Sequence, residues 1–408
     1  MPSAINTADH ARSILLPVLT DMNITHDHQL LAQIRDYDIC FAEFLKPSGN
    51  GQKIMQAILL REAFSRFAQQ GIAIKQDAPT AILDVSCGPG DYSVAWTSDI
   101  ARFLPKGMIF YCSDYPRGMA RATGEKYTTA TVNKIEAAAR RRQLLLAQPA
   151  VAIDADLFSG EDRLMPAGKS ADIVHWSHSG YHVRDALGAD GDDPRAIESG
   201  LETAIDKIWK ALDERGLMFS VHQTRDISDG VPSQMLPVSR KYCGALDDIP
   251  ERIATRIRQL GGYVATVNFA SPLKFPKLGD ADWQALKRTA QWSRLDPAQA
   301  RTLRLLNFIA YDFADSGKAA LEKLGEDGRL AAYVDDFKSI VRNNGGYIIV
   351  KCAFQMLSKS CEVAMRLDDI ARQLREKQPE YRQEMAIEIM AAPNAPSPLG
   401  EAHLASNI

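Results

Sequence analysis

Ile82-Leu83-Asp84-Val85, an apolar run broken by one acid, leads into the turn Gly88-Pro89-Gly90, and Asp114 follows at the tip of the next apolar run. Glycines in such a turn let the backbone take positive φ and approach a ligand closely. An acid about 20 residues beyond a glycine turn is placed to accept both hydroxyls of a ribose. Strand-end acids also serve as helix N-caps, but the turn ahead of Asp114 favours the ribose. The third glycine of a dinucleotide fingerprint is missing. Ser93 stands in its place, and Asp91 at the opening of the following helix would repel a phosphate. A ligand with a ribose and no phosphate fits better.

His175, His178 and His182, three of the eight histidines, lie close together. His178 and His182, four apart, would share one helix face and in principle bind a metal, but no third strong ligand stands nearby and no metal is expected. A histidine titrates near neutrality, so His178 or His182 is the candidate catalytic residue, orienting or deprotonating an acceptor. Such general-base help is worth about 10²–10⁴-fold. His175 ends a strand and reads as a hydrogen-bonded core group.

These residues need a sheet to bring them together. Apolar runs at Ile82–Val85, Met108–Ser113, Val151–Ile153, Asp172–His175, Leu217–Val221 and Tyr263–Phe269 alternate with amphipathic helical patterns, as a parallel sheet with crossovers requires. One such helix carries Ile197, Leu201, Ile205, Ile208 and Leu212 and closes at Gly216, and another begins after Asp247-Asp248, which supply its cap. Before the sheet, Leu30 to Phe67 reads as a helical hairpin broken at Lys46–Gly51; between the last two strands, residues 275–340 are helical. Tyr347–Phe354 is the final strand, and a charged helix from 358 either packs back on the body or mediates a dimer. The expected division is an N-terminal helical cap (1–75), an α/β domain (76–270), a helical insertion (271–342), the last strand (343–357), a C-terminal helix (358–390) and a Pro/Ala/Ser-rich disordered tail (391–408).

The stretch Asp84–Asp91 resembles the first motif of class I S-adenosylmethionine-dependent methyltransferases, and Asp114 matches their ribose-binding acid. Asp156-Leu157-Phe158 resembles the element whose acid meets the adenine. The resemblance implies a doubly wound, mostly parallel seven-stranded α/β sheet whose last strand is antiparallel. It also implies S-adenosylmethionine as cofactor, held by Asp84, Gly88, Gly90, Asp114 and Asp156, to which Ser177 at the end of the fourth strand is added. A fainter similarity, carried by Asp172–Asp185, is to histamine N-methyltransferase and its relatives. By that correspondence Tyr37, Phe41, Asn50, His178, Tyr181, His182 and Asn344 line a substrate pocket. Asn50 stands where that family has an acid for the substrate amine, and His178 where it has a glutamine, which argues against histamine itself.

A net charge of −3 gives no electrostatic commitment to nucleic acid or an acidic membrane. The six cysteines show no C-x-x-C spacing and read as reduced, buried thiols. No run is long enough to span a bilayer, so a cytoplasmic monomer or homodimer is expected. The leading reading is methyl transfer to a small-molecule acceptor, at nitrogen, in an enclosed pocket. The alternatives are a cyclase that consumes S-adenosylmethionine alone to give azetidine-2-carboxylate and methylthioadenosine, an NAD(P)-linked oxidoreductase, and a non-catalytic binder of the cofactor.

Overall fold

The computed structural model describes residues 30–35, 37–44, 46, 51–120, 124–160, 162–188, 191, 193–227, 230–244, 246–310 and 319–391. Of the tail expected over 391–408, all but Ala391 lies outside these described residues, as do Asn50 and the N-terminal 29 residues of the expected cap.

Seven strands form the central sheet: β1 (Thr80–Val85), β2 (Met108–Asp114), β3 (Val151–Asp154), β4 (Ala171–Ser177), β5 (Leu212–Gln223), β6 (Tyr263–Lys274) and β7 (Tyr347–Ser358). Their spatial order is β3-β2-β1-β4-β5-β7-β6. β1 pairs in parallel with β2 and β4, as do β2 with β3 and β4 with β5, while β7 runs antiparallel between β5 and β6. The expected doubly wound, mostly parallel sheet with a reversed last strand is therefore the observed one. The strand order turns back between β1 and β4, the position where open α/β sheets leave a crevice at their carboxyl ends.

Alternating side chains feed two cores. Ile82, Phe110, Ile173, Phe219 and Val221 face one layer, while Leu83, Tyr111, Val174, Trp176 and Met218 face the other. The longer helices, in chain order, are α1 (Tyr37–Phe44), α2 (Gly51–Gln70), α3 (Asp91–Ala101), α4 (Tyr127–Arg140), α5 (Pro194–Ala211), α6 (Met235–Cys243), α7 (Ile249–Gln259), α8 (Pro297–Ala310), α9 (Leu330–Asn343), α10 (Cys361–Glu376) and α11 (Gln378–Ala391). On the first layer α2 lies across β5, with Phe64 stacked on Phe219 at 5.1 Å between ring centroids.

Several boundaries differ from those the sequence suggests. Leu212 leaves the helical pattern and opens β5, because its pairing with Ala171 makes it the first residue of the ladder. Asp248 is the residue before α7, yet its carboxylate takes Arg252 Nε at 2.8 Å rather than a backbone N–H. The charged C-terminal segment is two helices, not one. Leu367, Ile370 and Leu374 of α10 are buried against the body, and α11 returns along α2, where Arg61 pairs with Glu384 at 2.7 Å. A two-residue ribbon, Met119–Ala120 with Glu125–Lys126, was not legible as strand. All six cysteines are free thiols; Cys361 is exposed rather than buried.

A buried charge cluster ties the first helices to the insertion. Glu43 of α1, its side chain 1% exposed, pairs with Arg304 of α8 at 2.9 Å, with Arg301 at 2.9 Å and with Lys46 at 3.0 Å. Phe41 and Phe44 pack on Phe308 beside it. Burial alone would raise the Glu43 pKa, but Lys46, Arg304 and Arg301 outweigh it and hold the carboxyl below its ordinary range. Removing one partner of such a cluster leaves buried charge uncompensated, so Glu43→Ala should cost about 3–5 kcal/mol in urea denaturation at neutral pH. A carboxyl with a lowered folded pKa contributes stability above its unfolded value and loses it as pH falls through the folded one. The gap between wild type and Glu43→Ala should therefore narrow on acidification.

Candidate functional site

The glycine turn sits at the carboxyl end of β1. Ser86, Gly88 and Gly90 take φ of 56°, 56° and 87°, so the chain reverses through three left-handed residues. A Cβ on Gly90 would lie 2.6 Å from Thr131 Cα of α4, which excludes any side chain there. A Cβ on Gly88 would meet nothing within 4 Å, so this residue borders open space of the kind a ligand can fill. Thr131 Oγ1 donates to Gly88 O at 2.9 Å and fixes the turn from behind.

Two carboxylates hold the turn in shape. Asp84, 3% exposed, accepts from Ser93 Oγ at 2.5 Å, from Trp96 Nε1 at 3.4 Å and from His175 Nδ1 at 2.8 Å. Ser93, which stands where a dinucleotide fingerprint has glycine, is thus committed to the β1 acid. Asp114 Oδ2 accepts the Gly88 N–H at 2.7 Å, and its Oδ1 accepts the Tyr115 N–H at 2.8 Å. Burial pushes the Asp114 carboxyl up to about 6, against the two backbone donors that lower it.

A second polar group gathers under α2, at the ends of β4 and β5. Gln56 Nε2 donates to Ser177 Oγ at 2.9 Å, and Gln52 Nε2 donates to His178 Nε2 at 2.9 Å and to Cys352 Sγ at 3.1 Å. His178 Nδ1 meets Tyr181 Oη at 2.9 Å, and that oxygen also accepts the Gln223 N–H at 3.2 Å. Burial, with Lys53 and His222 next to it, holds the His178 pKa well below its usual value. His222 is pushed down to about 3 by burial and by His175 and Lys53. Both rings are neutral at physiological pH. With Gln52 donating to Nε2, the His178 proton sits on Nδ1 and is donated to Tyr181 Oη.

Not every residue singled out in the sequence joins this group. His178 (φ 54°) and His182 do not share a helix face: a bend and the 3₁₀ turn Gly180–His182 separate them. His182 bonds Asp185 at 3.0 Å, away from the polar group under α2. The Asp156 carboxylate takes the N–H groups of Phe158 and Ser159 at 3.0 and 3.2 Å and the Ser159 hydroxyl, so it shapes its own turn. Asn344 donates to Gln234 Oε1 and to Ile340 O, both at 2.9 Å, closing α9 rather than joining the polar group. Phe41 stacks on Phe308 at 5.5 Å within the cap core, and of Tyr37 only the helical backbone is described. No group of three possible metal ligands occurs among the described residues. Periodicity missed Gln52, Lys53, Gln56 and His222. The first three sit on an amphipathic helix where polar residues read as solvent-facing, and only their recurrence at one- and four-residue steps marks a polar stripe.

No protein-family model and no curated protein matches the chain. Among solved structures it is similar to a SAM-dependent methyltransferase from Thiobacillus denitrificans in complex with S-adenosyl-L-homocysteine, with 15% identity, 72% of this chain and 90% of that one covered, and a TM-score of 0.33. It is also similar to magnesium protoporphyrin IX methyltransferase from Synechocystis PCC 6803 (12% identity, 53% and 78% covered, TM-score 0.32) and to the plantazolicin methyltransferase (14%, 76% and 86%, TM-score 0.34). These likenesses carry no weight for substrate or chemistry. The strand order and the reversed β7 decide the fold. It is the class I methyltransferase fold.

The raised Asp114 pKa has a consequence for stability. A carboxyl whose folded value exceeds its unfolded value of about 4 favours folding while protonated and loses that benefit as pH rises through about 6. At pH 7.5 the ionised group therefore costs the unliganded protein about 1–3 kcal/mol. The melting temperature of the free protein should therefore fall as pH rises through about 6, and Asp114→Asn should show a smaller fall, both read in thermal denaturation.

Proposed function

We propose that the protein is an S-adenosylmethionine-dependent methyltransferase acting on a small molecule in the chamber beneath α2, with nitrogen as the acceptor atom. The observation that carries this reading is the pairing of Gly88 and Asp114. A carboxylate at the tip of β2 is held against an open glycine turn, an arrangement that suits the hydroxyls of a ribose better than the charge of a diphosphate. The residues present fit the cofactor. Gly88 borders unfilled space, Asp114 is available to two hydroxyls, and the buried Nε2 of His175 has no partner among the described residues.

When bound, S-adenosylmethionine supplies a methyl group already activated by a cationic sulfur. The chain binds, orients and dries the site. Asp114 and the Gly88 turn hold the nucleoside end. Asp84 fixes the turn and the His175 ring together, so the pocket needs little reorganisation when filled. Ser177 is held by Gln56, and Tyr181 by His178 and the Gln223 N–H, so both face the chamber in one geometry. Alignment of this kind supplies on the order of 7–11 kcal/mol in favourable cases. The two neutral imidazoles suit a neutral nucleophile, since neither adds positive charge beside a sulfonium. Both nitrogens of His178 are engaged, so it positions the Tyr181 ring and hydroxyl beside the acceptor rather than acting as a free base.

Incubation of the purified chain with S-adenosylmethionine and a library of small amines, phenols and acids should release S-adenosylhomocysteine only when an acceptor is present. Methylthioadenosine formed without an acceptor would establish cyclisation instead, and cofactor left unconsumed despite binding would establish a non-catalytic binder. With an acceptor in hand, Tyr181→Phe should lower kcat/KM about 10–100-fold, the worth of one strong hydrogen bond, and leave S-adenosylhomocysteine affinity unchanged.

A further inference from the structure

Helix α2 carries Lys53, between Gln52 and Gln56, over the Tyr92 ring. Its Nζ stands 4.1 Å from the centroid of the Tyr92 ring, and its hydrogen-bond partner is Gln56 Oε1 at a weak 3.4 Å. It forms no ion pair with any described residue. The groups facing it leave no anion free to do so. Asp84 already receives three donors, and the Cys352 thiol is pushed up to about 12 by burial and so stays protonated. His175, His178 and His222 contribute no negative charge. Burial lowers the Lys53 pKa to about 7, against the pull of Asp84. Beside it, the buried Tyr92 hydroxyl has no hydrogen-bond partner among the described residues, and burial and Asp84 keep it protonated.

An ammonium and a phenol are both donors, and here neither has a good acceptor: Lys53 and Tyr92 are half-buried residues, and the Tyr92 hydroxyl itself is cut off from solvent. Buried charges are normally paired and buried polar groups hydrogen-bonded. An oxyanion brought in by a ligand satisfies both groups at once. We infer that Lys53 and Tyr92 together form the binding site for a ligand carboxylate, so that a molecule bearing that group completes the chamber. This deepens the methyltransferase reading and rests on it for the identity of the bearer: the carboxylate belongs either to the amino-acid end of the cofactor or to an acidic acceptor. Either one places a negative charge between Lys53 and a sulfonium that would otherwise repel each other.

The test is titration calorimetry at pH 7.5 on the full chain, wild type, Lys53→Met and Lys53→Arg. The probes are S-adenosylhomocysteine, methylthioadenosine, which lacks the amino-acid end, and benzoate added to protein saturated with S-adenosylhomocysteine. If the carboxylate is the cofactor's, Lys53→Met weakens S-adenosylhomocysteine at least about tenfold, the loss of one charge-assisted bond, while methylthioadenosine is unchanged and Lys53→Arg recovers part of the loss. If it is the acceptor's, both nucleosides are unaffected and benzoate binding disappears in Lys53→Met. In either case the carboxylate keeps Lys53 ionised, so wild-type binding takes up a fraction of a proton, seen as a buffer-dependent heat that Lys53→Met lacks. Asp114 is already ionised at this pH and adds little to that heat. Since it removes an unpaired charge, Lys53→Met should melt no lower than wild type, which separates lost binding from lost folding. Affinities for all three probes unchanged in Lys53→Met, with no proton uptake in wild type, overturn the inference. Failure of wild type to bind either nucleoside overturns the cofactor reading instead, and benzoate titrated into the free wild-type and Lys53→Met proteins then decides the role of Lys53.

Discussion

A single buried carboxylate organises the site. Asp84 lies inside β1, where an uncompensated charge would be costly, and it is tolerated because three donors from two other elements converge on it. Ser93 and Trp96 bring in α3, and His175 brings in β4. The turn between β1 and α3 is therefore stretched between two fixed points, and its left-handed residues have no freedom to relax. That geometry places Gly88 against Asp114. It also holds the His175 ring near Trp96 and Tyr92, with centroids 4.7 and 5.7 Å away, so the end of β4 and the glycine turn form one rigid unit.

The roof has a different construction. α2 is pinned to the sheet by Phe64 and Phe67 on Phe219, while its first turn carries Gln52, Lys53 and Gln56 over the strand ends. α11 packs against that same first turn. A Cβ on Gly51 would lie 2.5 Å from Met385 Sδ, so the C-terminal helix reaches the segment that presents the polar stripe. The Glu43 cluster fixes the cap helices to one another. Polar groups in the chamber are held by side chains from elements far apart in sequence, and the site exists only when roof and sheet meet.

The sheet was legible because the physics that makes a parallel strand is local and repetitive: short apolar runs, crossover helices between them, and a glycine turn where the first ends. The turn and Asp114 could be found for the same reason, since their separation along the chain reflects one crossover. The acceptor side was legible only in part. His178 and Tyr181 stood out by residue type, but the four-residue relation of His178 to His182 suggested a helix that the left-handed backbone at His178 does not allow. Asn344 and Asp156 look like binding groups in sequence, yet each is spent on a backbone carbonyl or N–H a few residues away, a local use that spacing alone does not reveal. Lys53 went unread because a lysine on an amphipathic helix ordinarily points to water. Only the tertiary arrangement turns that face inward.

The central claim is that the crevice at β1 and β2 receives a ribose on Asp114, with the rest of the same ligand running toward α2. A crystal structure of the protein with S-adenosylhomocysteine tests this most directly. Both ribose hydroxyls should lie within hydrogen-bond distance of the Asp114 carboxylate, with the thioether entering the chamber that Ser177 and Tyr181 border. A nucleoside bound elsewhere on the sheet, or one whose ribose turns away from Asp114, would contradict the account.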